Sequence, residues 1–201
     1  MKEKQNPGND TPPPVINHGG HEIFDAHEVI TSVISFLDHQ KMYASYVQDQ
    51  ELMTLLNRQQ QFTAQLYNTI VESFSSGKDP SVPTRAYKMQ QNNRVTYGVT
   101  PSEPKKPIQS LDEITDEKVS AYLLGEMKAL ASLFTMTSLE MTNPVLRRIT
   151  ADSVPNLIEM SYELFLYQNK HGFYQVPKLK EQDMSRMLHS YSQVSEEPPL
   201  Q

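Results

Sequence analysis

Four stretches of this chain repeat their apolar residues at three- and four-residue steps, each over about 25–28 positions, and that repetition constrains the fold more than any other feature. A strand would instead alternate with a period of two. In the first stretch Ile23, Phe24, His27, Ile30, Val33, Ile34, Leu37 and Met42 share a face. The second carries Leu52, Leu55, Leu56, Phe62, Leu66, Ile70 and Phe74, and Gly77 follows as a C′ glycine. The third opens at Thr115 or Asp116, both good N-cap types, and carries Val119, Tyr122, Leu123, Leu130, Leu133 and Met136 or Thr137. Asn143-Pro144 joins a cap residue to one suited to the first helical position. The fourth stretch then runs from Val145 through Leu157, Ile158, Ser161, Phe165 and Gln168 to near Gly172. Pro155 lies inside it and predicts either a kink or a break into a short and a longer helix. A last short helix is expected over 180–191, after Pro177.

Between the second and third stretches the periodicity vanishes over 78–116. Pro80, Pro83, Pro101, Pro104 and Pro107 make a long helix or strand there unfavourable. A connection of about 40 residues far exceeds an ordinary loop. It either crosses the domain as an ordered strap, with Tyr87, Met89, Val95, Tyr97 and Val99 gripping a groove, or hangs free. Helices of similar length, two short turns and one long connection predict an all-α protein, a ferritin-like four-helix bundle with a long B–C crossover. Residues 1–20, rich in Pro, Gly and Asn, read as a disordered arm. Residues 21–191 form the helical domain, with 77–116 as its crossover loop, and 192–201 read as a flexible tail.

Composition narrows the function classes. With 24 acidic and 18 basic residues the net charge is -6, which argues against a dedicated nucleic-acid binder. Lys105-Lys106 is too small a basic patch to change that. Cys is absent, so disulfides, thiolate metal sites and cysteine nucleophiles are excluded. No run approaches ~18 consecutive apolar residues, so no membrane span is expected. Residues 1–20 hold no apolar h-region, so no signal peptide is expected. No Gly-rich phosphate loop, G-x-S-x-G or H-E-x-x-H occurs.

The ferritin-like plan directs attention to polar residues on the apolar stripes. Dinuclear metal sites in such bundles use a Glu on each of two helices and Glu-x-x-His on each of the other two. Here His27 lies in phase on the first helix and Glu126 on the third. The second offers Gln59 with Phe62 three residues later, and the fourth Glu159 with Tyr162 three residues later. Neither Glu-x-x-His is intact, and too few carboxylates and imidazoles remain to neutralise and orient two ions. His27, Gln59, Glu126, Glu159 and Tyr162 therefore read as a polar core cluster, in which Glu126 bonds to His27 or Tyr162. A mononuclear site on His27 and Glu126 is the alternative, and it would make the protein a metal-dependent redox protein with a reduced ligand set. His18-Gly-Gly-His21-Glu22 reads either as a weak metal-binding tract or as a hinge into the first helix, with Glu22 near its positive end. No catalytic, cofactor-binding or metal residue is assigned, and no cofactor is expected.

HGGHEIFDAHEVI at 18–30, DPSVPTRAYKM at 79–89, YGVTPSEPKKP at 97–107 and ITADSVPNLIEMSYELFLYQNKHGFYQVP at 149–177 resemble the spore coat protein F (Coat F) family of endospore-forming bacteria. The resemblance spans about residues 18–190. It implies a ferritin-like helical fold and a structural, non-enzymatic place in the spore coat, reached after synthesis in the cytoplasm of the sporulating cell. Other coat proteins or copies of the chain itself are the implied partners. Frequent Gln, as at 59–61 and 90–91, would permit Gln–Lys isopeptide cross-linking, although solvated polar residues are the plainer reading.

Overall fold

The computed structural model describes residues 18–194, so most of the expected N-terminal arm (1–17) and of the tail (195–201) lies outside the described residues. The chain forms α1 (Gly20–Ala44), α2 (Gln50–Ser76), α3 (Asp116–Glu140), α4 (Pro144–Lys170) and α5 (Glu181–Leu188). A single 3-10 turn, Leu111–Glu113, precedes α3. Among the described residues there is no strand, only an isolated bridge of Tyr97 and Gly98 with Val176.

The caps account for where the helices start and stop. Asp49 accepts from the Glu51 amide at 2.8 Å and starts α2. Gly77, at φ 66°, supplies the left-handed conformation that ends it. Asn143 accepts from the Val145 and Leu146 amides at 2.9 and 3.1 Å, and Pro144 occupies the first turn of α4. Thr115 stands at the N-cap of α3 without a side-chain cap bond. Asp116 reaches across instead and accepts from the Gln48 and Asp49 amides at 2.9 and 3.3 Å. Pro155 does not break α4, which is helical throughout. The Ala151 carbonyl that loses its donor belongs to an exposed residue, so water can satisfy it.

Bonds at the two ends fix the topology. The α1–α2 turn meets the start of α3 through Asp116. At the opposite end Glu22 of α1 meets the α3–α4 turn at Thr142 and Asn143. Hence α1 and α4 run one way and α2 and α3 the other. Contacts join α1 to α2 and α3, and α4 to α2 and α3, so every neighbour is antiparallel. This is the ferritin-like four-helix arrangement, and the 77–115 connection must climb the full bundle, about 40 Å at 1.5 Å per residue.

The core runs along the bundle axis from Val33, Phe36, Leu52 and Leu55 through Leu123, Met127 and Phe134 to Leu157, Met160 and Leu164, all at most 2% exposed. The phase of α1 differs from the sequence expectation. Its buried face is Glu22, Ala26, Val29, Val33, Phe36 and Gln40, an alternating four- and three-residue repeat. Ile23, Phe24, Ile34 and Met42 lie outside it and are exposed, Phe24 to 73%. Apolar residues come in adjacent pairs along this helix (Val29-Ile30, Val33-Ile34, Phe36-Leu37), so two stripes compete about 100° apart. Glu22 and Gln40 close the buried stripe, and a count of apolar residues cannot see them. Ile158 of α4 and Met136 of α3 are exposed for the same reason, each beside a buried neighbour, Leu157 and Thr137.

This phase predicts a sharp contrast. Val33→Asp should destabilise the fold by about 3 kcal/mol or more through an unpaired buried charge. Ile34→Asp, one residue on, should change it by less than about 1 kcal/mol. Urea denaturation of the two variants reads the difference directly.

Candidate functional site

The five polar residues singled out on the stripes take up separate places. Gln59 is fully buried and donates through Nε2 to the Met160 carbonyl at 2.9 Å. Glu126 is half-buried and lies 3.0 Å from Nδ1 of His39, a residue the periodicity did not highlight. His27 is exposed and packs edge-on against Phe74, centroids 5.6 Å apart. Glu159 is exposed, and Tyr162 is half-buried, stacked on Phe165 at 5.7 Å. The structure therefore does not gather them, because α1 and this part of α4 are each rotated from the expected phase.

The buried carboxylate of α4 is Glu163, adjacent to the expected Tyr162 and 0% exposed. It receives the Arg58 guanidinium of α2, the Tyr87 hydroxyl at 2.5 Å, the Gln90 amide at 2.8 Å and Gln59 Nε2 at 3.4 Å. Arg58 also donates to the Tyr87 hydroxyl at 3.1 Å and to Gln90 Oε1 at 3.0 Å. Burial pushes the Tyr87 hydroxyl up, and its bond to Glu163 pushes it further, so it stays a donor. Burial disfavours the Arg58 charge, but Tyr87 and Glu163 outweigh that and raise its value. A lone carboxylate here would be strongly disfavoured; with a cation and three further donors it is satisfied. Met160, Glu163 and Tyr167 continue the four- and three-residue repeat of the buried face from Asn156, the signal that would have found it.

This cluster fastens the crossover. Tyr87 and Gln90 belong to the 77–115 connection, whereas Arg58, Gln59 and Glu163 belong to α2 and α4. Below it, Asn156 of α4 accepts from the Tyr87 amide at 2.8 Å and donates to the Arg85 carbonyl at 2.9 Å. Above it, Asn169 accepts from the Thr96 amide at 2.6 Å and donates to the Thr96 and Tyr174 carbonyls. Of the two readings left open for this interval, the ordered strap is the one found. Tyr87 is its buried anchor, while Tyr97 and Val99 are exposed.

Each end of the bundle has its own carboxylates. At the base, Glu22 is 0% exposed and accepts from the Thr142 and Asn143 amides, both at 2.5 Å, from the Thr142 hydroxyl at 2.8 Å and from the His18 ring. Burial opposes its ionisation, but the Asn143 amide, His18 and Thr142 outweigh that and hold it below the usual carboxylate value. His18 also contacts the Phe74 carbonyl at 3.2 Å, while His21 is exposed, so the tract at 18–22 is the start of α1 with Gly19 as its N-cap. At the top, Asp49, Glu51 and His171 bring one ligand atom each to within 4.8 Å of one another. Asp49 already holds the Glu51 amide and the Tyr167 hydroxyl, and Glu51 holds Gln91 and Lys170. An ion there would have to displace the Lys170 ammonium. All three clusters join elements to one another, and each carboxylate oxygen that could take a ligand already has a protein donor.

The comparisons with known proteins agree with this frame. The Coat F domain model matches residues 115–177, which cover α3, α4 and the turn beyond them. A Bacillus subtilis (strain 168) protein named spore coat protein F-like protein YhcQ is 46% identical over 184 residues, 91% of this chain and 85% of its own length. The chain belongs to the Coat F family of spore coat proteins. A crystal structure of a spore coat protein candidate from Bacillus halodurans C-125 superposes with a TM-score of 0.58 over 82% of this chain and 96% of the other, at 13% identity, and shares the fold. No helix among the described residues of this Coat F member is long and apolar enough to cross a membrane.

Two outcomes follow from the clusters. Glu163→Ala should free the strap, raising the rate of tryptic cleavage at Arg85 and Lys88 by about tenfold or more, because local opening then governs access. Electrophoresis of timed digests measures it. Glu22 has a folded-state value below its ordinary one. It therefore stabilises the fold fully above the ordinary carboxylate range, and that contribution is lost as pH falls through the range toward the lower folded value. Glu22→Gln should be less stable at pH 7 by about 1–3 kcal/mol and should lose part of the acid sensitivity, as urea melts across pH 3–7 would show.

Proposed function

We propose that this Coat F member is a structural, assembly component of the bacterial endospore coat that acts through protein–protein packing and carries out no catalysis. The observation that carries this reading is Glu163. In a fold whose relatives in architecture use buried carboxylates for chemistry, this fully buried carboxylate is occupied by Arg58, Tyr87, Gln59 and the Gln90 amide, a set that ties the strap to α2 and α4. The family membership and the similarity to the B. subtilis coat F-like protein support the location. The chain is made in the cytoplasm of the sporulating cell and joins other coat proteins or copies of itself. Nucleic acid is not among its partners, consistent with a net charge of -6.

A redox reading would rest on His27 and Glu126, which face different neighbours, Phe74 and His39. Two measurements separate the readings. Fractionation of mature spores should place the protein in the coat extract, and recovery from the spore core alone would overturn the structural role. Elemental analysis of protein purified without chelator should find no stoichiometric iron or manganese. Stoichiometric metal lost in both His27→Ala and Glu126→Ala would favour the redox role.

A further inference from the structure

Helix α5 is amphipathic yet none of its residues is buried. Met184, Met187 and Leu188 recur at steps of three and four, so they line one stripe, and Tyr191 follows three residues beyond the helix. Leu188 is 71% and Tyr191 91% exposed. Glu181 and Asp183 flank the stripe, one on each side, and neither is in an ion pair among the described residues. A lone helix of eight residues is marginal in water, so its apolar face calls for a partner surface.

The chain carries a surface of matching chemistry elsewhere. Between α2 and the strap runs a groove of about 400 Å³ with Phe62 and Leu66 on its floor and Arg85 and Lys88 in its strap wall. Both cations are exposed, and neither is in an ion pair among the described residues. Along α2 the lining extends from Arg58 to Thr69, about 17 Å, whereas α5 is about 12 Å long. An apolar stripe flanked by carboxylates meets an apolar floor edged by cations.

We propose that α5 of one molecule seats in the α2–strap groove of a second copy, its methionine and leucine side chains over Phe62 and Leu66 and its Glu181 and Asp183 beside Arg85 and Lys88. This rests on the assembly role proposed above and names its contact. Donor and acceptor surfaces differ, so the contact is head-to-tail. Repeated, it builds a ring or an open array, whereas a self-complementary face would stop at a dimer.

The test uses the full chain. Sedimentation over a concentration series should show self-association, and the double variant Glu181→Lys/Asp183→Lys should weaken it about tenfold or more at low salt. Mixing that variant with Arg85→Glu/Lys88→Glu should restore it, which mere misfolding of either variant would not. The native chain has no cysteine. Met187→Cys protein and Gln61→Cys protein, mixed and treated with a bismaleimide, should therefore give a mixed cross-linked dimer above the level of either alone. A strictly monomeric chain overturns the proposal. So does association that the charge reversals leave unmoved, and so does a Met187→Cys/Gln61→Cys chain that closes on itself as a monomer. Recovery of the protein from the coat extract, measured separately, shows whether the assembly role survives that failure.

Discussion

A carboxylate inside a helical bundle must find donors or be excluded, and Glu163 decides how this molecule is tied together. Its partners come from α2 and from the strap, so one buried charge reaches three segments far apart in the chain. Removing its cation would strand the charge, and removing the charge would strand Arg58 and Tyr87. The apolar core alone would permit the four helices to pack with the connection loose. The carboxylate makes one path of the connection preferable to the others.

The same device recurs at both ends. Glu22 gathers the α3–α4 turn, at Thr142 and Asn143, and the entry to α1, at His18. Asp49 caps α2 while holding Tyr167 of α4, and Asp116 spans from α3 to the α1–α2 turn. Polar side chains that an enzyme of this architecture would turn toward ions are used here to bind helix ends and backbone amides. Such bonds specify geometry more than they add net stability, since each replaces hydration of comparable strength.

Much of the architecture was legible in the chain. Gly77, Asn143-Pro144 and the prolines between Pro80 and Pro107 marked the ends of the helices, and the long interval between two hairpins pointed to the crossover. The stripe on α2 was read in register because Leu52, Leu55, Leu56, Leu66 and Ile70 have few apolar competitors. The register of α1 was not, because Val33-Ile34 and its sister pairs offer two faces and the choice falls to Glu22 and Gln40. The central cluster was missed by one position, Tyr162 in place of Glu163. Its other members, Arg58 and Tyr87, could not be placed, because their meeting depends on where the strap crosses α2 and α4. Local periodicity carries no information about such a crossing.

The route of the strap also has a bearing on how the chain reaches its final form. Glu163 has its full set of donors only when the strap and both hairpins are together, since Arg58 and Glu163 stand on opposite sides of that joint, 105 residues apart in the chain. Until the wrap closes, a negative group faces an interior without its full set of donors, and water is drawn into the half-built centre. Closing the wrap and drying the centre are therefore one event, since the strap's anchor and the carboxylate satisfy each other.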